Sequence, residues 1–311
     1  MNKCLYCYKE LMGDSDYHES CAQKFFGTKN VPTIPYSLSE MEILAKEVVE
    51  RSISVPGVQP KLSMSVLKVA GNQKETRLTI VGALGGNYIF KPPNPDFKEM
   101  PENEHITIRL AEAFGIKTVP SSLIRLNSGE LGYITKRIDR NKNGGKIHML
   151  DMFQITEAYD KYRSSMERVG KAVLAHSANT LLDALSLFEL TVFSYLTGNN
   201  DMHLKNFSML KTDIGWVMAP AYDLLNVAIV NPDDTEELAL TLQGKKKKFS
   251  KEHFMNFGKG LGLDQTQIRN VFNRFKKKKK EVKKLLESSF LSEEMKDKYL
   301  QVVFNKYKIL E

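Results

Sequence analysis

Two side chains in the segment GNNDMHLKNF (residues 198–207), Asp201 and Asn206, have types and a spacing that suit phosphoryl transfer. In loops that carry out this chemistry, the aspartate orients the acceptor hydroxyl and accepts its proton. The asparagine of the same D-x-x-x-x-N spacing reaches a Mg²⁺ ion that bridges the nucleotide phosphates. Such a pair also arises by chance, and on its own Asp201 fits a helix N-cap or a loop carboxylate. The pair therefore needs support from the rest of the sequence.

A second carboxylate, Asp223 in AYDLLN, follows this loop after a predicted hairpin around 211–215. A metal-binding aspartate is expected at this place after a phosphoryl-transfer loop. The alternative for Asp223 alone is a turn residue. Taken together, Asp201, Asn206 and Asp223 predict a Mg²⁺-dependent site in which Asn206 and Asp223 are the metal ligands.

A lysine at the end of an apolar run, Lys91 in NYIFKPP, precedes a predicted helix that contains Glu102 and Glu104. A strand lysine that pairs with a helix carboxylate holds the α- and β-phosphates in kinases. The alternative is an edge lysine before a Pro-Pro turn. The sequence does not decide which of the two glutamates pairs with Lys91.

The short segment ISVPGVQPKL (53–62) contains one Gly, one Gln and Lys61 between a predicted helix and a predicted strand. It matches neither G-x-G-x-x-G nor a P-loop. Backbone N–H groups and a lysine in such a loop can cover phosphates. An ordinary turn is the alternative.

The first 28 residues contain a separate set of candidate metal ligands in the pattern C-x2-C-x10-H-x2-C, namely Cys4, Cys7, His18 and Cys21. Three thiolates and one imidazole fill a tetrahedral Zn²⁺ site, so the predicted role is structural. The alternative is a small apolar turn with reduced thiols.

The elements that must position these residues change in type along the chain. Residues 41–52 have helical apolar spacing, with Ser39 and Glu42 as a predicted capping box. Residues 53–140 contain five short β-type runs and one helix over 102–116 that ends at Gly115. From about residue 150 the patterns are helical except for the hairpin around 211–215. The prediction is an α+β chain: a Cys/His unit over 1–35, a β-rich lobe over 36–140 and a helical lobe over 141–311.

Composition restricts the class of protein. The 311 residues suffice for one large or two medium domains, and 42% hydrophobic with 26% charged residues excludes a disordered chain. No run of 18 apolar residues occurs, and the N-terminus lacks a signal peptide, so a cytoplasmic protein without membrane association is expected. All three cysteines lie within the first 21 residues, which does not suit a disulfide framework.

The net charge of +8 suits a polyanionic ligand but does not distinguish a nucleotide, a nucleic acid or an acidic protein. Two lysine runs, 245–248 and 276–280, contribute to it. They fit solvated faces, and the alternative is direct contact with nucleic acid or an acidic partner.

Seven segments in order resemble the HipA family of bacterial toxin serine/threonine kinases. They are SISVPGVQPKL, NYIFKPP, NEHITIRLAEAFGI, YITKRIDR, MLDMFQI, GNNDMHLKNFSML and MAPAYDLLN. The resemblance implies a two-lobed kinase-like fold, ATP and Mg²⁺. By position, Asp201 matches the catalytic aspartate, and Asn206 and Asp223 match the metal ligands.

The same resemblance implies a set of nucleotide contacts. Those expected from the first lobe are Pro56, Gly57, Val58, Gln59, Pro60, Lys61, Lys91 and the hinge residues Lys136, Arg137 and Ile138. Those expected from the second lobe are His203, Leu204, Lys205, Asn206 and Tyr222. The hinge reads KRID, where the family often has an acidic or aromatic residue, so adenine would be met by backbone groups.

Ser54 matches the family's autophosphorylated serine, and Ser52 completes an S-I-S pair found in shorter members. Only about 50 residues precede the loop. The chain therefore resembles the short form of the family, in which a separate small protein supplies a missing N-terminal domain. The resemblance further implies a DNA-binding antitoxin as partner and an aminoacyl-tRNA synthetase as protein substrate.

Two other classes of function stay open at this point. One is a non-catalytic nucleotide-binding or regulatory module, against which the intact Lys91, Asp201, Asn206 and Asp223 argue. The other is a small-molecule kinase of the same fold.

Overall fold

The computed structural model describes residues 2–51, 61–69, 72–81, 85–141 and 143–311. Contacts divide the chain into two units. The first comprises Met1–His105, Val119–Gly145 and Ser288–Phe290, and the second comprises Ile106–Thr118, Lys146–Glu287 and Leu291–Glu311.

A five-stranded antiparallel sheet forms the centre of the first unit. Its strands are β1 (Leu62–Val69), β2 (Asn72–Ile80), β3 (Tyr88–Lys91), β4 (Ser121–Arg125) and β5 (Leu131–Lys136), in the order β2-β1-β3-β5-β4. The five predicted runs coincide with these strands. β2 begins earlier than its apolar pattern, because its first six residues, NQKETR, are polar. The register pairs Lys91 with Tyr133, which places the end of β3 beside the middle of β5.

Two helices precede the sheet, α1 (Glu19–Phe26) and α2 (Leu38–Arg51). The predicted capping box at Ser39 and Glu42 is wrong. The Ser37 amide donates to Glu40 Oε2 at 2.7 Å, so α2 begins two residues earlier. Both serines fit the pattern S-x-x-E, Ser37 with Glu40 and Ser39 with Glu42, and both precede the same apolar run. The sequence alone therefore does not distinguish the two possible caps.

The core of the first unit includes the N-terminal segment. Phe25 and Phe26 of α1 are buried, and the rings of both lie 5.9 Å from the ring of Tyr88 on β3. Leu5 and Phe90 are fully buried in the same cluster. Residues that look like a separate small unit in the sequence thus complete the sheet's hydrophobic core.

The helix α3 (Met100–Ala113) follows β3, and the division between the two units falls within it. Its amphipathic pattern predicts it, with an end at Gly115. Gly115 has a φ of 84°, so it ends the helical path in the left-handed conformation that glycine adopts without strain.

The second unit is mainly helical. It contains α4 (Met152–Ile155), α5 (Met166–His176), α6 (Thr180–Leu196), α7 (Lys251–Gly260), α8 (Gln265–Lys277), α9 (Lys279–Ser288) and α10 (Glu293–Lys306). The long α6 is buried along most of its length, and Phe188 packs against Phe257 and Phe272. None of the helices in the described part of the chain has the length and apolar character that a bilayer crossing requires.

A small sheet interrupts these helices, with β6 (Met149–Asp151), β7 (Ser208–Thr212) and β8 (Gly215–Met218) in that order. The hairpin between β7 and β8 is confirmed, with Thr212 opposite Gly215. β6 was not predicted, because three residues are too short to show alternation. Strand β7 of this sheet follows the segment that contains Asp201 and Asn206.

Candidate active site

The segment from Asn199 to Asn206 connects α6 to β7 and carries the predicted catalytic residues. Gly198 ends α6 with a φ of 69°, and a Cβ there would lie 2.8 Å from Asn226 Oδ1. Only glycine fits this turn without displacing its neighbour. Met202 and Leu204 are buried, and they fix the loop to the core of the second unit.

Within this loop, Asn206 donates from Nδ2 to the main-chain carbonyl of Asp201 at 2.9 Å. A carbonyl oxygen can only accept, so the amide nitrogen must face it. The other end of the buried Asn206 amide, Oδ1, is directed elsewhere. An oxygen of this kind is a suitable ligand for Mg²⁺.

Asp223 lies beyond β8 in a left-handed conformation, with a φ of 57°. Non-glycine residues adopt this conformation rarely, and strained backbone conformations cluster at functional sites. Its flanks are fixed: the Ala221 amide donates to Lys117 O at 2.8 Å, and Leu224 is fully buried.

Tyr222 joins the Asp223 segment to the loop. Its hydroxyl donates to the carbonyl of Lys205 at 3.0 Å and lies 2.5 Å from Ser208 Oγ. Burial raises the pKa of Tyr222, and the charges of Asp223 and Asp151 add to this, so the phenol stays neutral. The predicted neighbours Lys205, Asn206 and Tyr222 are therefore brought together.

His203 is buried and follows Asp201 closely in the loop, and its pKa responds to two carboxylates. Burial lowers the pKa of His203, and the nearby Lys161 acts in the same direction. The carboxylates of Asp201 and Asp223 both oppose this shift, so both lie close enough to act on one imidazole. The three predicted groups Asp201, His203 and Asp223 thus share one region of the second unit.

The other two predicted residues of this loop differ in exposure. Leu204 is fully buried, which leaves only its main chain for a ligand. Lys205 is exposed, and its Nζ lies 4.9 Å from the centre of the Phe153 ring.

Tyr162 is a site residue that the sequence did not reveal. Its hydroxyl donates to Asp201 Oδ1 at 2.8 Å. The centres of the Tyr162 and His203 rings lie 5.0 Å apart in an edge-to-face arrangement. Burial and the charge of Asp201 raise the pKa of Tyr162. The segment YDKYRSSM has no motif, and the contact joins positions 39 residues apart, so no local signal could have shown it.

In the first unit, Lys91 pairs with Glu104. Lys91 Nζ donates to both carboxylate oxygens, at 2.7 and 2.8 Å, and each residue is 3% exposed. Glu102 makes no ion pair within the described ranges. The partner of Lys91 that the sequence left open is therefore Glu104, which lies two residues after Glu102 on α3.

The predicted hinge leaves few main-chain donors for adenine. The amide of Lys136 donates to Pro120 O, and the amide of Arg137 donates to Asn87 O, both at 2.9 Å. The Arg137 guanidinium is held by Asp139 at 2.7 Å. Burial lowers the pKa of Lys136. Adenine contact at this hinge would therefore use carbonyl oxygens or the Ile138 main chain.

The predicted phosphate-covering loop is represented by Lys61 alone, which is exposed next to β1. The other residues predicted for this loop and the two serines lie outside the described residues, namely Ser52, Ser54, Pro56, Gly57, Val58, Gln59 and Pro60.

The predicted metal ligands of the N-terminus lie together. The ligand atoms of Cys4, Cys7, His18 and Cys21 are all within 4.8 Å of one another. The three cysteines form no disulfide with one another.

Some side chains of the two lysine runs make contacts within the second unit. Lys246 pairs with Glu236 at 3.0 Å, and Lys278 pairs with Glu281 at 2.8 Å. Lys279 lies over the Phe304 ring at 5.0 Å.

The comparisons with known proteins agree with this arrangement. A family model described as the HipA-like C-terminal domain matches residues 53–282, which is more than half of the chain. The chain belongs to the HipA-like family. A Haemophilus influenzae protein named "Putative kinase" is 26% identical over 84% of this chain and 82% of its own length.

A second HipA-like relative is the serine/threonine-protein kinase toxin HipA of Shewanella oneidensis, which is 25% identical over 70% of this chain. The match covers 53% of the toxin's own length. These relatives support kinase as the general class of activity for this HipA-like chain.

Two solved structures show the fold. HipA of Shewanella oneidensis, in a complex with HipB and operator DNA, has a TM-score of 0.70 at 21% identity and covers 88% of this chain and 71% of its own. The Helicobacter pylori proinflammatory kinase CtkA has a TM-score of 0.54 at 15% identity and covers 80% of this chain and 94% of its own. The HipA-like chain thus has a kinase-like α+β fold, as predicted.

Proposed function

We propose that this HipA-like chain is an ATP- and Mg²⁺-dependent serine/threonine protein kinase. The observation that carries the proposal is the Asn206 side chain, whose Nδ2 is held by the Asp201 carbonyl at 2.9 Å so that Oδ1 is directed away from it. One loop thereby offers a carboxylate and a metal-binding oxygen, which are the two functions that phosphoryl transfer needs there.

The residues of the second unit have distinct proposed roles. Asp201 would accept a hydrogen bond from the acceptor hydroxyl. It would take up the hydroxyl proton as the acceptor oxygen bonds to the γ-phosphorus and the bond from that phosphorus to the departing ADP breaks. Asn206 Oδ1 and the Asp223 carboxylate would hold Mg²⁺, because oxygen donors suit this ion. When bound, Mg²⁺ neutralises the charge of the nucleotide phosphates. The buried His203, whose pKa is lowered by burial, would stay neutral and add no positive charge to the site.

Lys91 has the corresponding proposed role in the first unit. Its ammonium is fixed by both oxygens of Glu104 and would bind the α- and β-phosphates. Because the pair is buried, the ammonium loses little entropy when it meets a phosphate. The main chain of 136–138 would contact adenine, and Lys61 would join the phosphate-covering loop.

The proposal extends to biological role and partners through the relatives. One relative is named a toxin, and one similar structure contains HipB and operator DNA. We therefore propose a toxin of a toxin–antitoxin pair with a DNA-binding antitoxin as partner. An aminoacyl-tRNA synthetase as substrate, a small protein that supplies an N-terminal domain, and self-phosphorylation at Ser54, with Ser52 as a second site, belong to the same proposal.

The test is transfer of ³²P from [γ-³²P]ATP by the purified chain with Mg²⁺, with and without cell lysate as the source of acceptors. Labelled protein bands that require Mg²⁺ and are lost in Asp201→Asn would support a protein kinase. The matched control is Asp213→Asn, an exposed aspartate in the β7–β8 turn, which should retain full activity.

Other outcomes would overturn the proposal. A labelled small molecule without labelled protein would show a small-molecule kinase, and ATP binding without any transfer would show a regulatory module. For self-phosphorylation, the intact mass of the chain after incubation with Mg-ATP should rise by one phosphate group, and phosphopeptides should place it at 52–54. An unchanged mass would contradict that part alone.

A further inference from the structure

The N-terminal cysteines lie on a tight turn that presents two sulfurs on the same side. The Tyr8 amide donates to Cys4 O at 2.9 Å, and the Cys4 amide donates to Lys9 O at 2.9 Å. Tyr8 takes a left-handed φ of 66°, which turns the chain back after Cys7. A hydrogen-bonded turn of this kind holds Cys4 and Cys7 in a fixed orientation without a large core.

The second pair of ligands comes from the start of α1. His18 is the N-cap of this helix, and the Cys21 amide donates to His18 O at 3.0 Å. His18 Nδ1 lies 3.5 Å from Cys7 Sγ and 3.8 Å from Cys21 Sγ. The turn and the helix therefore bring four donor atoms to one point.

The histidine is oriented as a metal ligand. His18 Nε2 lies 2.9 Å from the carbonyl oxygen of Glu10, which can only accept. Nε2 must therefore carry the proton, and the lone pair of Nδ1 faces the sulfurs. A backbone carbonyl on the second ring nitrogen is the usual means by which proteins orient a metal-binding histidine.

The size of the cluster suits a single ion. In a tetrahedral Zn²⁺ site with Zn–S bonds of about 2.3 Å, neighbouring ligand atoms are about 3.8 Å apart. The four donor atoms all lie within 4.8 Å of one another, which is too compact for ligands that share two metal ions of a cluster. We propose that Cys4, Cys7, His18 and Cys21 bind one structural Zn²⁺ ion.

The proposed ion would fasten the N-terminal segment to the edge of the sheet. The Tyr17 hydroxyl lies 2.9 Å from Ser122 Oγ on β4, and the Leu123 amide donates to Leu5 O at 3.4 Å. Asp16 pairs with Arg125 at 2.9 Å. Since β4 is an edge strand, these contacts cover main-chain groups that would otherwise pair with another strand.

The contacts of the segment depend on the turn that the ion would close. Tyr8 directly follows Cys7, and its hydroxyl lies 2.9 Å from His105 Nδ1 in the first unit. Asp16 and Tyr17 directly precede His18. Metal binding and folding are coupled in small sites of this kind. Loss of the ion would therefore weaken the contact of Tyr8 with α3 and the contacts of Asp16 and Tyr17 with β4.

The test is the metal content of the full chain, purified under reducing conditions and measured by inductively coupled plasma mass spectrometry. We expect about one Zn per chain in the wild type, and less than about a tenth of that when Cys7→Ser and Cys21→Ser are combined. The matched control is His176→Ala, an exposed histidine at the end of α5, which should keep full occupancy. The double variant should also melt about 5 °C or more below the wild type.

A second measurement on the wild type guards against a double variant that does not fold. Chain reconstituted with Co²⁺ should show sulfur-to-cobalt charge-transfer bands and the strong visible absorption of a tetrahedral site, and Zn²⁺ should abolish both. Wild type without bound metal, unchanged zinc in the double variant, iron in place of zinc, or octahedral cobalt would each overturn the proposal. None of these readouts depends on kinase activity.

Discussion

At the scale of single residues, the site is organised around Asp201, which has two different contacts. Its main-chain carbonyl accepts from Asn206, and its Oδ1 accepts from the Tyr162 hydroxyl at 2.8 Å. The first contact fixes the loop. The second places a phenol hydroxyl at the carboxylate oxygen where we propose that the substrate hydroxyl binds.

The variant Asp201→Asn should abolish transfer while it spares the fold. The amide cannot take up a proton, so the rate should fall by about 10²- to 10⁴-fold. Nucleotide affinity should persist because Lys91 and Asp223 are unchanged, and the Asn amide oxygen can still accept from Tyr162. Transfer kinetics, ATP titration and thermal melting check these three expectations, and retained transfer would remove Asp201 from its proposed role.

The variant Tyr162→Phe should help the acceptor to bind. The hydrogen bond from the Tyr162 hydroxyl to Asp201 is worth about 1 kcal/mol net, and the acceptor must displace it to reach the carboxylate. Without this bond, KM for the protein acceptor should fall by about fivefold, with kcat nearly unchanged. Initial rates against acceptor concentration measure both constants. The matched control is Tyr159→Phe, which removes the hydroxyl of a fully exposed tyrosine. A fall in kcat at constant KM would instead show that Tyr162 positions the carboxylate.

At the scale of elements, β3 and α3 are joined by a buried ion pair. Lys91 ends β3 and Glu104 lies in the first half of α3, and both oxygens of the carboxylate are used. Burial of two charges is costly, so such a pair is not retained for stability alone. It holds an ammonium in one place, which suits our proposal that Lys91 binds phosphate.

Substitution of one or both partners should separate stability from function. Lys91→Met leaves a buried, uncompensated carboxylate and should lower the free energy of unfolding by about 3–5 kcal/mol. Lys91→Met combined with Glu104→Leu should recover most of this loss, since an apolar pair of similar volume replaces the charges. ATP affinity should be lost in both proteins. Urea unfolding and ATP titration measure the two effects, and ATP binding by the double variant would contradict the role of Lys91.

Glu102, two residues before Glu104 on α3, should make stability depend on pH. Burial, with a contribution from the charge of Glu99, raises the pKa of Glu102 from 4.5 to about 7. The folded state thus binds this proton more tightly than the unfolded state does. Its stabilising contribution is complete below about pH 4.5 and disappears as the pH rises through about 7.

The variant Glu102→Gln should therefore stabilise the chain more at high pH than at low pH. We expect the gain in unfolding free energy to be about 2–3 kcal/mol larger at about pH 8.5 than at about pH 4.5. Urea unfolding at the two pH values measures it. The matched control is Glu75→Gln at an exposed glutamate, which should change the free energy of unfolding by about 0.5 kcal/mol or less. Equal gains at both values for Glu102→Gln would contradict the raised pKa.

At the scale of the whole molecule, the N-terminal segment is a structural part of the first unit. Phe25, Phe26 and Leu5 share one cluster with Tyr88 and Phe90 of the sheet. The sheet that carries Lys91 thus depends on residues from the start of the chain for its core.

The variant Phe25→Ala should lower the free energy of unfolding by about 3–5 kcal/mol, because it leaves a cavity against β3. The control Phe97→Ala removes a ring that is 41% exposed and should cost about 0.5 kcal/mol or less. Urea unfolding of both proteins gives the comparison. A small effect of Phe25→Ala would show that the segment contributes little to the unit.

The elements were predicted where a local pattern specifies them. The β5 run GYITKRI and the helix that ends near Gly115 have alternation or amphipathic spacing, and both were found. β6 and the true cap of α2 were not predicted. Three residues are too few to show a period, and both Ser37 and Ser39 are followed three residues later by a glutamate. The order of the five strands also lies beyond any local pattern. In the sequence, β2 separates β1 from β3, and α3 and β4 separate β3 from β5, yet β3 pairs with both β1 and β5.

The sequence by itself determined which residue types stand in which order: the D-x-x-x-x-N pair, Asp223, the strand lysine and the four Cys/His ligands. Those features follow from spacing along the chain. The tertiary structure alone decided that Glu104 and not Glu102 pairs with Lys91, that Tyr162 reaches Asp201, and that Tyr17 and Phe25 join the sheet. The physical reason is that such contacts join residues distant in sequence, so they depend on which faces pack together and leave no local pattern.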